Sequence, residues 1–407
     1  MAYTILDKQS VCGYLSQIAE VAAYFGGDEI EAAEIGDGNL NFVYLIRSVS
    51  DPTKAVIAKQ AVPYLRIAGE GFPLSRERMT YEIRALLAFK ELAPDFVPDI
   101  YYTSEEMSLL VMEYLGDHVI FRTGLLEGKQ YPHFAAHISS YLAETLFHTS
   151  SLSLQSEKKR ALMDRFNSNT ELCKLTENFV FTFPYMAHET NDSDTITNNT
   201  PLTERIFADM LFKERVLEFK YKFMTQADAL LHGDLHTGSL MANAEETYMI
   251  DPEFAFVGPF GFDIGALLSN LVQNYIHHDI VTGNETHKAW MLETICNTLV
   301  LFEQKFLALW DATETSALMI PGLLDEESKR SYQQKFMQGI LHDTIGFAGC
   351  KMARRIFGIA GVADIRGIED PVLRAQAQER VFEIARVFVM DHDRIDSAEE
   401  IITILKG

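Results

Sequence analysis

Residues 231–265, LHGDLHTGSLMANAEETYMIDPEFAFVGPFGFDIG, gather the side chains most able to do chemistry. His232, Asp234 and His236 alternate in a polar knot directly after an apolar segment. Seventeen residues beyond Asp234 comes Asp251-Pro252-Glu253, fed by the strand-like residues 247–250. Two carboxylate groups close in sequence, at the two ends of a short hairpin, are expected to face one another. Phosphoryl transfer uses such a pair: one carboxylate orients the attacking hydroxyl, and the other holds a metal ion against the phosphates. The same string permits a hydrolytic metal centre. On an extended segment His232, Asp234 and His236 would face one way and, with Asp251, could ligate a metal ion.

Two features nearer the N-terminus fit phosphoryl transfer and are left unexplained by the hydrolytic reading. The turn Gly36-Asp37-Gly38-Asn39-Leu40-Asn41 lets backbone approach phosphate oxygens, and Asn39 or Asn41 could add side-chain donors. An ordinary hairpin turn would look the same. Lys59 stands in the apolar run VIAKQAV, where a lysine is unfavourable unless it is paired. A lysine reaching the nucleotide phosphates, held by a helix glutamate, accounts for it, as does an edge-strand lysine that snorkels to water. Glu82 is the expected partner, with Glu77 the alternative. Residues Glu113, Tyr114 and Leu115 end a strand, where exposed backbone groups could pair with an adenine edge.

The elements that must position these residues follow from periodicity. Residues 8–25 read as one helix with Val11, Leu15, Ile18, Val21 and Ala22 on a face. Segments 30–36, 42–49 and 55–62 read as strands separated by turns. A helix is expected from Ser75, its N-cap, to Lys90, with Met79, Ile83, Leu86 and Leu87 inward. Segments 97–104 and 108–114 complete a five-stranded set. Beyond Gly116 the pattern is mostly of long amphipathic helices. The expected fold class is α+β, with a small sheet-bearing lobe over residues 1–115 and a large, mainly helical lobe over 116–407.

Composition bounds the function. At 407 residues the chain exceeds what one core holds efficiently, and 47% apolar with 23% charged residues excludes disorder. A net charge of −23 argues against nucleic acid or an anionic membrane as partner, since both demand a basic face. Four scattered cysteines without a C-x-x-C pair fit a reducing compartment and exclude a thiolate zinc site. The N-terminal residues lack the basic and apolar regions of a signal peptide, and the expectation is a cytoplasmic protein.

Other polar residues have structural readings. His148 is expected to end a helix in a hydrogen bond, and His277-His278 to lie on a helix surface. Asp263 is expected to cap a helix or brace the His-Gly-Asp loop, Trp290 and Trp310 to lie in the core, and residues 187–200 to form a solvated loop. Arg354-Arg355 stands in an apolar, glycine-spaced stretch that reads as a buried helix. Two guanidinium groups there need anions or carboxylates, and structural ion pairs are one solution. Adjacent helical residues diverge by about 100°, so one of the two is expected to reach a ligand.

Taken in order, the glycine-bearing turn, strand lysine, helix glutamate, HGDLH and acidic pair resemble the aminoglycoside phosphotransferase and choline kinase group of protein-kinase-like folds. HGDLHTGS at 232–239 and DPEFAFVGPFGFDIGA at 251–266 are similar to the 5-methylthioribose kinases within it. Two departures from the wider group are shared with those kinases. Ser239 stands where Asn is usual, and Asp251-Pro252-Glu253 replaces Asp-x-Asp or Asp-Phe-Gly. The resemblance implies a bilobal kinase-like fold, ATP and Mg2+ as cofactors, a sugar substrate phosphorylated on its 1-hydroxyl, and a homodimer. By the same resemblance, Asp234 takes or orients the hydroxyl proton, and Asp251 and Glu253 ligate Mg2+, with Pro252 between them. Lys59 pairs with the phosphates, Asn39 and Asn41 line the glycine-rich loop, residues 113–115 hold adenine, and Arg354 and Arg355 serve the substrate side. Choline, homoserine or an aminoglycoside is the alternative acceptor.

Overall fold

The computed structural model describes residues 3–35, 40–64, 71 and 73–407. The chain divides into two compact units, one formed by Met1–His118 with Tyr248–Ala255, the other by Val119–Thr247 with Phe256–Gly407.

The first unit is built on an antiparallel sheet of β1 (Ile30–Glu34), β2 (Asn41–Ser48), β3 (Ala55–Ala61), β4 (Ile100–Ser104) and β5 (Leu109–Glu113). Its strand order is β1-β2-β3-β5-β4. β3 is therefore central and buried along its whole length. Lys59 lies opposite Val43 on one side and Leu110 on the other, so it is not an edge-strand lysine reaching for water.

Residues 8–25 form two helices rather than one, α1 (Lys8–Leu15) and α2 (Ala19–Phe25). Ser16 causes the break: its Oγ donates back to the Cys12 carbonyl at 2.8 Å, and the chain tightens as Gln17 N–H reaches the Tyr14 carbonyl at 3.1 Å. The apolar stripe survives the break. Val11, Leu15, Val21 and Phe25 pack with Tyr44, Ile46, Val56, Ala58, Leu109 and Val111 as the core of this unit. The third helix, α3 (Glu77–Leu92), begins two residues after Ser75, whose Oγ accepts from Glu77 N–H at 3.1 Å. Met79, Ile83 and Leu86 are buried, whereas Leu87, one residue and about 100° further round, is exposed.

The second unit is mainly helical. Helix Gly261–His277 is buried almost throughout and packs on helix Glu326–Phe357, which in turn packs on Pro371–Met390. Glycines permit the first approach. A Cβ at Gly261 would stand 2.6 Å from Thr344 N, and one at Gly265 would stand 2.6 Å from Thr344 O. Gly349 plays the same part against the Ala385 carbonyl, at 2.7 Å from its would-be Cβ. The glycine-spaced stretch around Arg354 is thus a buried helix, as its composition predicts.

Three structural expectations fail in this unit. Residues 187–200 are not a loop throughout, because helices Ser193–Asn198 and Thr200–Ala208 begin there, the first capped by Asp192 and the second carrying Pro201 in its first turn. His278 is not on the surface: it is buried, with Nε2 2.8 Å from the Leu125 carbonyl and Nδ1 2.8 Å from Thr282 Oγ1. Trp310 is in the core, but Trp290 is only half-buried, against His287. His148 does end helix Phe134–His148, beside Ser153 and Glu144. No helix among the described residues is long and apolar enough to cross a membrane.

Candidate active site

In the first unit an acidic cluster closes around one lysine. Lys59 Nζ donates to Glu82 Oε1 at 2.7 Å and to Asp251 Oδ1 at 2.6 Å. Glu77 is exposed and takes no part. Burial alone would lower the Lys59 ammonium, but Asp251, Glu82 and Glu253 reverse this and hold it above its ordinary range. Burial, opposed chiefly by Lys59, pushes the Glu82 carboxyl up to about 7. Glu253 is likewise raised by burial, against Lys59 and Arg78. Asn41 opens β2 and donates from Nδ2 to Glu253 Oε2 at 3.2 Å. Its Oδ1 accepts from Arg78 Nε at 3.1 Å, and Arg78 Nε lies 3.8 Å from Glu253 Oε2.

The cluster sets three carboxylates against two cations. Asp251 and Glu253 offer hard oxygen donors of the kind that suit a divalent ion such as Mg2+. The Asp251 side chain is 42% exposed and accessible to such an ion. Its backbone is unusual: φ is +63°, in the left-handed region, directly before Pro252. For a non-glycine residue that conformation is unfavourable by about 1–3 kcal/mol and persists only where its surroundings enforce it. Pro252 is buried, and its carbonyl accepts from Ala255 N–H at 3.1 Å, closing the turn that carries Glu253.

At the end of β5, Glu113 is tied to Asp99. Glu113 N–H donates to the Asp99 carbonyl at 2.8 Å, and its Oε2 accepts from Asp99 N–H at 3.0 Å. The Arg47 guanidinium lies over the Tyr114 ring, 5.5 Å from its centroid, and Leu115 is buried. Asn39 lies outside the described residues.

In the second unit the buried strand Ala229–Leu231 pairs antiparallel with Phe256–Gly258 and delivers the chain into the loop His232-Gly233-Asp234. Asp263, in the first turn of helix Gly261–His277, accepts from His232 N–H at 2.7 Å and Gly233 N–H at 3.0 Å, and so braces the loop. Gly233 has φ +84°, which suits a residue without Cβ. Ser239 Oγ donates to the Asp234 carbonyl at 3.0 Å, so the serine that replaces the usual asparagine secures the loop backbone.

His236 Nδ1 accepts from Gly238 N–H at 3.0 Å. In the neutral ring that leaves the proton on Nε2, which lies 3.4 Å from Asp234 Oδ2. Burial holds His236 well below its ordinary value and thus neutral. Burial acts to raise the Asp234 carboxyl, yet His236, Lys351, Arg355 and Arg354 together hold it far below the usual carboxylate range. Because His236 is neutral, the lasting positive field comes from Lys351 and the two arginines. Asp234 is therefore held as the ionised carboxylate. His232, Asp234 and His236 do not converge as a metal triad, for their ligand atoms are not gathered within 4.8 Å. His232 Nδ1 instead lies 3.4 Å from the Asp234 N–H.

Arg354 and Arg355 are both buried, and both act on Asp234. Arg355 Nη1 donates to the Ala360 carbonyl at 2.9 Å. Among the described residues neither guanidinium forms an ion pair, and the Nε atoms of both are buried without a partner. The reading of the pair as structural ion pairs is therefore set aside.

Three residues of these clusters were not singled out from the sequence. Arg78 binds Asn41 and adjoins Glu253 as described. Arg122 donates to Thr237 Oγ1 at 3.1 Å and Asn270 Oδ1 at 3.0 Å. Lys351 Nζ lies 3.5 Å from Asp234 Oδ1. Only Lys351 carried a usable signal: with Arg354 and Arg355 it makes an i, i+3, i+4 set, which is one face of a helix.

A lysine held by a helix glutamate, an acidic pair suited to a divalent ion and an ionised aspartate under a cationic field make up the inventory of a phosphoryl-transfer enzyme. Consistent with that class, the model of the phosphotransferase enzyme family matches residues 31–283. Methylthioribose kinase 1 of Oryza sativa subsp. japonica is 38% identical over 408 residues, covering 98% of this chain and 94% of its own. Methylthioribose kinase of Escherichia coli O45:K1 (strain S88 / ExPEC) is 37% identical over 409 residues, covering 98% and 97%. That of Geobacillus sp. (strain WCH70) is 38% identical, covering 98% and 95%. The chain belongs to the methylthioribose kinase family of phosphotransferases and is a small-molecule kinase.

Proposed function

We propose that the protein transfers the γ-phosphoryl group of ATP to the 1-hydroxyl of 5-methylthioribose, giving 5-methylthioribose 1-phosphate for methionine salvage. The observation that carries this reading is the similarity, over nearly the whole chain, to kinases named for that sugar. Asp234 accepts the hydroxyl proton as the oxygen attacks phosphorus. Its carboxylate is already ionised, so its contribution is placement rather than a tuned pKa, as a loose transition state requires. Lys59, oriented by Glu82, pairs with the nucleotide phosphates, while Asn41 serves the phosphate side and residues 113–115 hold adenine. Asp251 and Glu253 would hold Mg2+, which when bound would neutralise charge on the phosphates. Lys59 is bonded to Asp251 in the structure, and with nucleotide and metal present Lys59 would turn to the phosphates and Asp251 to the metal.

The setting of Asp234 favours a neutral acceptor. Lys351, Arg354, Arg355 and Arg122 all act on it, and choline or an aminoglycoside would bring a further cation into that field. Arg354 and Arg355 serve the sugar, the active protein is a homodimer, and it works in the cytoplasm. The deciding assay follows ADP release with Mg-ATP against methylthioribose, choline, homoserine and an aminoglycoside. Turnover confined to methylthioribose and lost on chelating Mg2+ is expected; turnover only with another acceptor would overturn the substrate while keeping the class.

A further inference from the structure

We propose that Lys351 is a positioning residue for Asp234: anchored on the buried helix Glu326–Phe357, its ammonium grips one carboxylate oxygen and aims the other at the acceptor hydroxyl. The inference rests on the role given above to Asp234. Lys351 lies midway in an apolar helical stretch and its side chain is only 3% exposed. A buried lysine is unfavourable by several kcal/mol unless an anion compensates it. Its sole ion-pair partner among the described residues is Asp234, with Nζ 3.5 Å from Oδ1. The ammonium also sits over the Phe262 ring of the neighbouring helix, 4.4 Å from the centroid.

The Asp234 carboxylate is thus flanked on two sides, with Lys351 Nζ 3.5 Å from Oδ1 and His236 Nε2 3.4 Å from Oδ2. The His236 ring cannot turn freely, because Gly238 N–H donates to its Nδ1 at 3.0 Å. Each holder comes from a different element, one from the loop itself and one from a helix more than a hundred residues later in sequence. The loop alone places a group beside only one of the two carboxylate oxygens. The charged groups around the lysine are Asp234 from the loop, Asp263 from helix Gly261–His277, and Arg354 and Arg355 from its own helix. Arg122 and His236 complete the set that acts on Asp234.

This arrangement has a pH signature. Burial, opposed chiefly by Asp234 and aided by Arg354 and Arg355, brings the Lys351 ammonium down to about 8. The grip is present below that pH and is lost as pH rises through it.

The test is steady-state kinetics of the full chain with Mg-ATP and methylthioribose, for wild type, K351M and K351R, with D234A as control and ATP affinity as the measure of folding. K351M is expected to lose about 100-fold in kcat, the scale of a misplaced catalytic group, with both KM values within about threefold. Wild type should lose activity on an alkaline limb near 8, and K351M should lack that limb. K351R keeps a charge that does not titrate, so its limb should move to higher pH, with kcat recovered to within about tenfold of wild type. A K351M kcat within twofold of wild type, a loss confined to the sugar KM, or a K351R limb that coincides with wild type would each overturn the proposal. If K351M fails to bind ATP, the K351R limb decides. An inactive wild type, or a D234A protein that turns over normally, would instead sink the function proposed above.

Discussion

At the scale of single residues, two lysines on unlike elements solve the same problem. Each is a buried cation made tolerable by carboxylates: Lys59 by Glu82 and Asp251, Lys351 by Asp234. The first was legible because a charge amid strand residues has one explanation once the strand is central. The second carried the same signal but stood beside two arginines, and the divergence of adjacent helical residues directed attention to choosing between those two. The i, i+3, i+4 relation shows that Lys351, Arg354 and Arg355 share a face. The arginines should still separate on substitution. Arg355→Ala frees the Ala360 carbonyl and should lower stability by about 1–2 kcal/mol in denaturant unfolding. Arg354→Ala should mainly raise the sugar KM, by about tenfold or more, through a lost charged contact. Equal, negligible effects would remove the pair from the site. Asp251 is unlike the rest, since no sequence rule places a non-glycine residue before proline in the left-handed region. Asp251→Asn should keep that turn and lose metal charge, so we expect kcat to fall about 100-fold with a higher Mg2+ requirement, read by metal titration. Unchanged Mg2+ dependence would remove Asp251 from the metal site.

At the scale of elements, the sheet and α3 were legible from alternation and turn residues, and their strands fall within a few residues of expectation. Failures arose where a side chain overrode a periodic pattern. Ser16 breaks a helix whose apolar stripe runs on without interruption, and Asp192 and Pro201 start helices in a stretch whose composition suggests a loop. The placement of helix Glu326–Phe357 could not be read from periodicity, because it depends on glycines of another helix. Gly265→Ala is expected to destabilise by about 1–3 kcal/mol, the usual penalty of overpacking, since its Cβ would meet the Thr344 carbonyl. The shift in melting temperature measures it. Activity should fall along with stability, since this contact seats the helix bearing Lys351. A melting temperature equal to wild type would mean that the two helices can part without penalty.

At the scale of the whole molecule, a net charge of −23 opposes an anionic cosubstrate. In the function proposed above, the local lysine, arginines and metal would reverse the sign where the nucleotide binds. Diffuse repulsion is screened by salt over about 10 Å at ~0.1 M, whereas buried pairs are screened much less. The value of kcat/KM for Mg-ATP should therefore rise, by about threefold, between ~20 and ~200 mM monovalent salt. A fall would mean that local cations already dominate the approach. Composition made this legible, but the division of the chain was not: nothing in periodicity tells that Tyr248–Ala255 clusters with the sheet-bearing unit.

That return has a genetic consequence. The chain leaves one unit for the other after His118, after Thr247 and after Ala255. A gene cut at His118 would encode Lys59 and Glu82 without Asp251 and Glu253, leaving the lysine one of its three anions. A single crossover between two related genes at that point would pair one parent's lysine with the other parent's acidic turn. The two must therefore be inherited as a matched set, and viable shuffling of this enzyme requires double exchanges that carry the eight-residue segment with its sheet.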